Sequence, residues 1–298
     1  MSKTAEQYQA SPARAANPVA TEPKTMTAKD WDRRFPGVLD SIGVMAGAAH
    51  VIMQLAHPGV GYGVVESRVE SGRIFDHPIK RTRTTLTYIA VAMLGTPEEK
   101  AAYRKAVNHS HAQVRSTEAS PVKYNAFDPE LQLWVAACLY WGLDDVQRRF
   151  RGEVDRATRE ELFQLAAALG TTLQVRPEMW PEDLEAFEAY WQQGLKKLQL
   201  DDTVRDFLLA LANLKFLHPR ISRTLGPFHR FVTAGFLPAE MRDAMGLAWD
   251  DGKQQKFDRL IATLGAINRR LPLPVRQAPY FLLIGDFRRR LRKGKPLV

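Results

Sequence analysis

The spacing of apolar residues constrains the fold of this chain more than any other feature of its sequence. From about residue 31 onward, apolar residues recur at intervals of three and four, and strand-like alternation is nearly absent. Two helix starts are explicit. Thr96, Pro97 and Glu99 form a capping box with a proline in the first turn, and Asp128 caps the segment that begins with Pro129. The sequence therefore predicts an all-α fold.

The pattern divides into about nine or ten helices within one domain. A third clear segment covers 180–198, and the others are predicted near 36–57, 84–94, 97–115, 129–142, 154–169, 201–217, 238–250, 252–270 and 275–292. No long linker and no internal repeat interrupts them. Residues 1–30, rich in alanine, proline, threonine and serine, are predicted to be a flexible N-terminal arm. The helical domain then covers 31–287, and 288–298 form a basic C-terminal tail.

The charge balance narrows the classes of partner. The 298 residues carry a formal net charge of +9, and six of the positive charges lie between residues 288 and 298. We interpret this tail as solvated, with peripheral contact to an acidic membrane surface as the alternative. No motif that reads nucleic acid accompanies the tail, so the sequence disfavours nucleic acid as a partner.

Cysteine content and hydropathy bear on the compartment. The single cysteine, Cys138, excludes an intramolecular disulfide and a cysteine-cluster metal site. The most apolar stretch, 37–60, is interrupted by Asp40, Ser41, His50 and Gln54, so no membrane-spanning helix is expected there. Residues 1–30 lack the apolar run of a secretory signal. These features predict a cytoplasmic protein.

One histidine lies on the apolar face of its helix. Tyr103, Val107, His111 and Val114 share one side of the 97–115 helix, whereas His109 lies about 200° away from His111 around the helix axis. Two interpretations remain open for His111. It is either a core histidine bonded to a carbonyl or hydroxyl, or an axial ligand presented to haem iron.

The other histidines carry weaker signals. His50 and His57 are seven residues apart and can share a helix face, but the chain contains neither an H-E-x-x-H nor an E-x-x-H motif. The sequence therefore disfavours a metal site made by protein ligands alone. His218 and His229 lie close to prolines and are predicted to cap helices or to form turns.

Six stretches, in order, resemble one known superfamily. They are QLAHPGVGYGV (54–64), DHPIKRTRTTLTYIAVAMLGTPEE (76–99), NHSHAQVR (108–115), YNAFDPELQLWV (124–135), GFLPAEMRDAMGLAW (235–249) and LPLPVRQAPY (271–280). Together they resemble bacterial rubber oxygenases (latex-clearing proteins) and the fungal MpaB-like oxygenase over about residues 31–285. The resemblance implies a helical domain that encloses one haem b. Such enzymes use dioxygen to oxidise or cleave carbon–carbon double bonds in hydrophobic, isoprenoid-like substrates.

The resemblance also implies the cofactor ligands. The proximal histidine of the family follows a V-x-x-x-H pattern, which here runs from Val107 to His111, so His111 is the implied iron ligand. His57 is the next candidate. Arg81 and Arg83 are implied partners of the haem propionates, because a guanidinium pairs well with a carboxylate, although both could instead be ordinary surface charges.

The implied distal elements differ from those of rubber oxygenases. Arg81, Thr84 and Thr85 align with the family's R-x-x-[RK]-T element, with Thr84 in the position of a lysine that reaches the iron. Arg83 could substitute for that lysine. A shifted register would place Lys80, Arg83 and Thr84 on the same element.

Two further positions bear on the chemistry of the pocket. Glu66 is the counterpart of the acidic residue near the family's pocket, and Glu70 competes for that role. Asn108 replaces an arginine found in rubber oxygenases. Thr84, Thr85 and Glu66 are the groups expected to act near bound dioxygen, and the pocket lining is expected to include Leu55, Val60, Trp134 and Val135.

The sequence therefore predicts a haem-dependent oxygenase. A haem-binding protein for sensing or storage is the alternative, and a helical protein without haem, similar in fold alone, is a further one.

Overall fold

The computed structural model describes residues 26–69 and 72–298. Within these residues all regular structure is helical, apart from one isolated antiparallel bridge between Arg115 and Asn125. The predicted all-α class is confirmed. The first helices are α1 (Ala28–Arg34), α2 (Gly47–Leu55), α3 (Pro58–Val65), α4 (Pro78–Leu94), α5 (Pro97–His111), α6 (Pro129–Arg151), α7 (Arg156–Ala166) and α8 (Ala168–Thr171). They are followed by α9 (Leu184–Lys196), α10 (Asp202–Ala212), α11 (Pro219–Phe236), α12 (Ala239–Ala244), α13 (Asp251–Arg270), α14 (Leu273–Arg276) and α15 (Ala278–Arg292).

The described chain has more helices than the nine or ten predicted. Ten of the helices have nine or more residues, and the other five have four to eight. The predicted 36–57 helix is divided into a 3-10 turn (Ser41–Ala46) and α2, and α3 begins anew at Pro58. Proline at a first helical position begins a helix well but cannot continue one, so the chain changes direction there.

Helix α11 was not predicted from the sequence, whose predicted helices leave 218–237 unassigned. Pro219 occupies the first helical position, and Pro227 lies inside the helix. His218 caps the helix by accepting a hydrogen bond from the backbone of Arg220, as predicted. The prediction for His229 was wrong, because this residue lies within α11 and its Nδ1 contacts the carbonyl of Ala212 at 2.8 Å.

The start of the domain is fixed by a cap and by buried charges. Thr27 and Asp30 form a capping box, so α1 begins within the last residues of the predicted arm, and residues 1–25 lie outside the described part. Asp40 is 1% exposed, and its carboxylate accepts hydrogen bonds from Arg151, Asn268 and Arg276 at 2.5–2.7 Å. This network joins α6, α13 and α14 to the start of the domain.

The predicted basic tail is partly helical. Helix α15 continues to Arg292, and Arg288 forms an ion pair with Glu99 at the start of α5. Arg290 donates to the carbonyl of Pro296, and Leu297 and Val298 pack against the core. This end of the chain therefore lies against the domain. No helix in the described ranges has the length and hydropathy needed to cross a membrane.

Candidate functional site

A cavity of about 280 Å3 lies between α3, α4, α5 and α6, and α8 and residues 124–126 contribute further to its lining. Its walls are mainly apolar. The predicted lining residues Leu55, Val60 and Val135 border it. Trp134 does not. Its indole N–H donates to the backbone carbonyls of Met53 and Gln54 at 3.3 Å, which places the ring behind the cavity wall. An apolar cavity with a few polar groups is typical of a site for a hydrophobic ligand.

Helix α5 presents the predicted face to this cavity. Tyr103, Val107, His111 and Val114 all line it, and His109 is exposed on another side of the helix. The helix is fixed by the Thr96 cap at its start, and it ends at His111 rather than near residue 115. The inward position of His111 is therefore confirmed.

His111 is held in its neutral form. Its Nδ1 atom is fully enclosed and has no hydrogen-bond partner among the described residues, whereas the rest of the side chain borders the cavity. Burial, together with the charge of nearby Arg81, lowers the pKa of His111 to about 4. The carbonyl or carboxylate acceptor expected for a core or ligand histidine is not found in the described chain. A neutral imidazole is the form that coordinates metals.

The first turns of α4 bring a cation into the same cavity. Arg81, Thr84 and Thr85 all line it, together with Lys80, whereas Arg83 lies outside the lining. Burial lowers the pKa of Arg81. No hydrogen bond or ion pair of its guanidinium is formed with the residues that the structure describes. A partly buried guanidinium without a counter-charge is a strong attractant for an anion.

Most polar side chains around Arg81 donate hydrogen bonds to backbone carbonyls. The hydroxyl of Thr84 donates to the carbonyl of Lys80 at 2.9 Å, within its own helix. Tyr103 donates to the carbonyl of Thr84 at 2.8 Å, and Tyr88 donates to the carbonyl of Leu169. Burial raises the pKa values of both tyrosines, so their hydroxyls remain protonated.

Glu66 lies next to the cavity rather than in its lining. It follows α3 and borders a smaller, polar pocket of about 150 Å3. Its carboxylate accepts hydrogen bonds from Ser120 at 2.6 Å and from Tyr124 at 2.7 Å. Tyr124, which is hydrogen-bonded to Glu66, lines both pockets, as Ser67 and Val114 do, so it lies at the boundary between Glu66 and the larger pocket. Glu70, the competing residue, lies outside the described residues.

The remaining candidate histidine, His57, is outside the cavity lining. It immediately precedes α3, but its side chain forms no capping hydrogen bond. Its Nδ1 is enclosed without a partner in the described chain, and its ring centroid lies 6.3 Å from that of Trp134. Burial lowers the pKa of His57. Of the two candidate histidines, His111 lines the cavity and His57 does not, so a ligand in the cavity would contact His111.

Sequence reasoning missed a chain of side-chain amides beside the cavity. Gln132, which lines the cavity, donates to Gln174, and Gln174 donates to Asn108 at 2.8 Å. Asn108, which replaces an arginine found in rubber oxygenases, thus accepts its hydrogen bond from a neutral side chain. No local motif links these residues, because Gln174 lies in the loop after α8, far along the chain from the other two. No three histidine, cysteine, aspartate or glutamate side chains of the described chain form a metal-binding group.

Comparisons with known proteins agree with the resemblance. The family described as "ER-bound oxygenase mpaB/B'/Rubber oxygenase, catalytic domain" matches residues 37–266. "Uncharacterized protein Rv2237" of Mycobacterium tuberculosis and "Uncharacterized protein Mb2261" of Mycobacterium bovis are each 48% identical to the chain over 251 residues. The alignment with each covers 84% of this chain and 98% of the relative. No solved structure matches. The chain belongs to the family of MpaB and rubber oxygenase catalytic domains.

Proposed function

We propose that this protein is a haem b-dependent oxygenase that uses dioxygen to oxidise or cleave a carbon–carbon double bond in a hydrophobic, isoprenoid-like substrate. The observation that carries the proposal is that one apolar cavity is lined by neutral His111 and by Arg81, whose guanidinium has no partner among the described residues. An imidazole for iron, a guanidinium for a propionate and apolar walls for a porphyrin are what haem b requires. The residues present therefore fit the group.

Different side chains of the cavity would bind different parts of the haem. His111 would hold the iron, and Arg81, with Lys80 beside it, would pair with the propionates. Because Arg83 lies outside the cavity lining, it is not part of this proposal. The iron supplies the activation of dioxygen, which otherwise reacts slowly with alkenes because of its spin state.

The protein would supply a dry and oriented environment. The apolar walls select a hydrophobic substrate and exclude water from the reacting groups. Thr85 is the candidate hydrogen-bond donor on the cavity surface, because its hydroxyl forms no hydrogen bond with the described residues, whereas that of Thr84 is bonded within its helix. Glu66 would act only through Tyr124, which stands between it and the cavity.

Hemin titration of the purified protein tests the ligand assignment. We expect the parent to develop a Soret band that His111→Ala abolishes and that His109→Ala, an exposed change on the same helix, leaves unchanged. Arg81→Met should weaken hemin binding roughly tenfold to a hundredfold, the loss of one charged hydrogen-bonded pair, whereas Arg83→Met should not. A Soret band that persists in His111→Ala would contradict the assignment.

Oxygen consumption separates catalysis from simple haem binding. The hemin-loaded parent should take up dioxygen when an unsaturated isoprenoid hydrocarbon is added, and not when its fully saturated counterpart is added. Hemin binding without uptake on any unsaturated hydrocarbon would favour the alternative function in sensing or storage. A parent that binds no hemin would refute both.

A further inference from the structure

Three tryptophans form a stacked column beside the cavity. Trp134 and Trp141 belong to α6, and Trp191 belongs to α9. The ring centroids of Trp134 and Trp191 are 5.2 Å apart with an angle of 14° between the planes. Those of Trp141 and Trp191 are 5.3 Å apart with an angle of 12°. Trp191 therefore stacks on both α6 indoles. We call these three residues the tryptophan column.

The sequence builds this column by helical spacing. Positions 134 and 141 are seven apart, which places two indoles on one face of α6, about 10.5 Å apart along its axis. One flat ring from α9 fills that interval. Gly194, three residues after Trp191, leaves room for the other helix, because a Cβ there would lie 2.2 Å from the ring of Trp134. The stack is thus a specified arrangement of parallel rings, whereas most ring pairs elsewhere in this core are tilted or edge-on.

The column leads from the cavity wall toward the surface. Its inner ring, Trp134, is 2% exposed and donates its N–H to the carbonyl of Gln54, a residue that lines the cavity. Val135, the next residue on α6, also lines the cavity. Trp191 in the middle is 2% exposed, and Trp141 at the outer end is partly exposed. The rings are in contact along this path.

We propose that the tryptophan column is an electron relay that delivers single electrons from a dissolved reductant to the cavity. This inference rests on the proposed function, because an oxygenase site produces one-electron oxidants when it activates dioxygen without oxidising its substrate. One electron passes from Trp134 to the oxidised centre in the cavity. Trp191 then reduces the radical cation of Trp134, and Trp141 reduces the radical cation of Trp191. A dissolved one-electron donor such as ascorbate then reduces Trp141 and is itself oxidised by one electron.

The hydrogen bonds of Trp134 suit this transfer. Its N–H is held by two neutral carbonyls, of Met53 and Gln54, which accept a hydrogen bond but do not take the proton. The electron therefore moves while the indole proton stays in place, and no covalent bond forms or breaks. Indoles are among the most readily oxidised side chains, whereas Phe187, which also stacks on Trp191, is far harder to oxidise.

The first experiment uses the protein without haem. A one-electron oxidant is generated in solution by light, with a ruthenium tris-bipyridine sensitiser and persulfate, and oxidised indoles are mapped by peptide mass spectrometry. In the parent, we expect oxidation at buried Trp134 and Trp191. This oxidation should be lost in Trp141→Phe and retained in Trp249→Phe, which removes the other partly exposed tryptophan, stacked on Phe231 outside the column. Near-UV circular dichroism confirms that each variant is folded.

Two results of this experiment would overturn the relay. One is the absence of oxidation at Trp134 and Trp191 in the parent. The other is equal oxidation of these residues with and without Trp141, which would show that the oxidant reaches them independently. Gly194→Ala provides a second variant, because it displaces the ring of Trp134 without removing an indole. We expect it to lose oxidation at Trp134 and to keep it at Trp191.

The second experiment uses the hemin-loaded protein. Hydrogen peroxide is added, samples are frozen at intervals, and radicals are detected by electron paramagnetic resonance with ring-deuterated tryptophan. We expect a tryptophan radical that ascorbate removes rapidly in the parent and slowly in Trp141→Phe. Equal removal rates would refute the relay. Failure to bind hemin would refute the proposed function alone, because the first experiment tests the column without haem.

Discussion

His50 provides a direct test of how burial controls charge in this fold. It lies on α2, and its ring contacts α6 so closely that a Cβ on Gly142 would be 2.4 Å from Nε2. The Nε2 atom is enclosed and has no partner among the described residues. Burial lowers the pKa of His50 to about 4, compared with about 6.5 for an exposed histidine.

The consequence is a loss of stability in mild acid. Between pH 6.5 and pH 4 the unfolded chain binds a proton at His50 that the folded chain does not, so the free energy of unfolding falls as the pH falls. A folded pKa near 4 corresponds to a loss of about 2 kcal/mol between pH 7.5 and pH 5. That is a large share of the roughly 5–15 kcal/mol that stabilises a typical domain.

Urea unfolding of the parent and of His50→Leu at both pH values measures this contribution. Leucine is close in size, does not titrate, and removes the enclosed Nε2. Other groups titrate equally in both proteins, so the difference between their pH dependences isolates His50. We expect the variant to lose about 2 kcal/mol less than the parent over this interval. Equal losses would refute the assigned pKa and the burial argument behind it.

Further predictions concern packing and charge, each measured by thermal or urea unfolding. Asp40→Ala should cost about 3–5 kcal/mol, because it leaves the buried guanidinium groups around it uncompensated, and a cost below 1 kcal/mol would contradict the network. Gly142→Ala should cost about 1–3 kcal/mol through its clash with His50, whereas Gly285→Ala, an exposed position in α15 with open space around it, should stabilise by about 0.5–1 kcal/mol. A Gly142→Ala variant that is more stable than Gly285→Ala would refute the packing argument. Arg288→Ala should cost less than about 1 kcal/mol, because its ion pair with Glu99 is on the surface.

Local signals made α5 the most predictable part of the candidate site. Thr96 and Glu99 fix where the helix begins, and the spacing of Tyr103, Val107 and His111 fixes which face is buried. Both signals act over a few residues, so neither depends on the rest of the fold. The inward direction of His111 followed from them without any knowledge of its neighbours.

Helix α11 shows where such local signals fail. No helix was predicted here, but Pro219 suits a first helical position and Pro227 removes only one helical hydrogen bond. The helix packs against the end of the preceding helix, α10. Ser222 donates to the carbonyl of Asn213, and Gly226 lies so close to that carbonyl that a Cβ would be 2.7 Å from it. The sequence nevertheless contains helical periodicity here, because Ile221, Leu225, Phe228 and Val232 recur at intervals of three and four, so the prolines obscured a pattern that was present.

The separation of Glu66 from the main cavity was equally beyond local reasoning, and it has an electrostatic consequence. No aspartate or glutamate of the described chain lines that cavity, whose charged groups are Lys80 and Arg81. Burial is the main cause that lowers the pKa of His111, and the positive charge of Arg81 lowers it further, whereas a carboxylate in the place of Arg81 would raise it. Tyr124 holds Glu66 in the neighbouring pocket, so no carboxylate of an aspartate or glutamate in the described chain lies in this cavity to pair with Arg81. Burial and the positive charge of Arg81 therefore act in the same direction, and both keep a proton off His111.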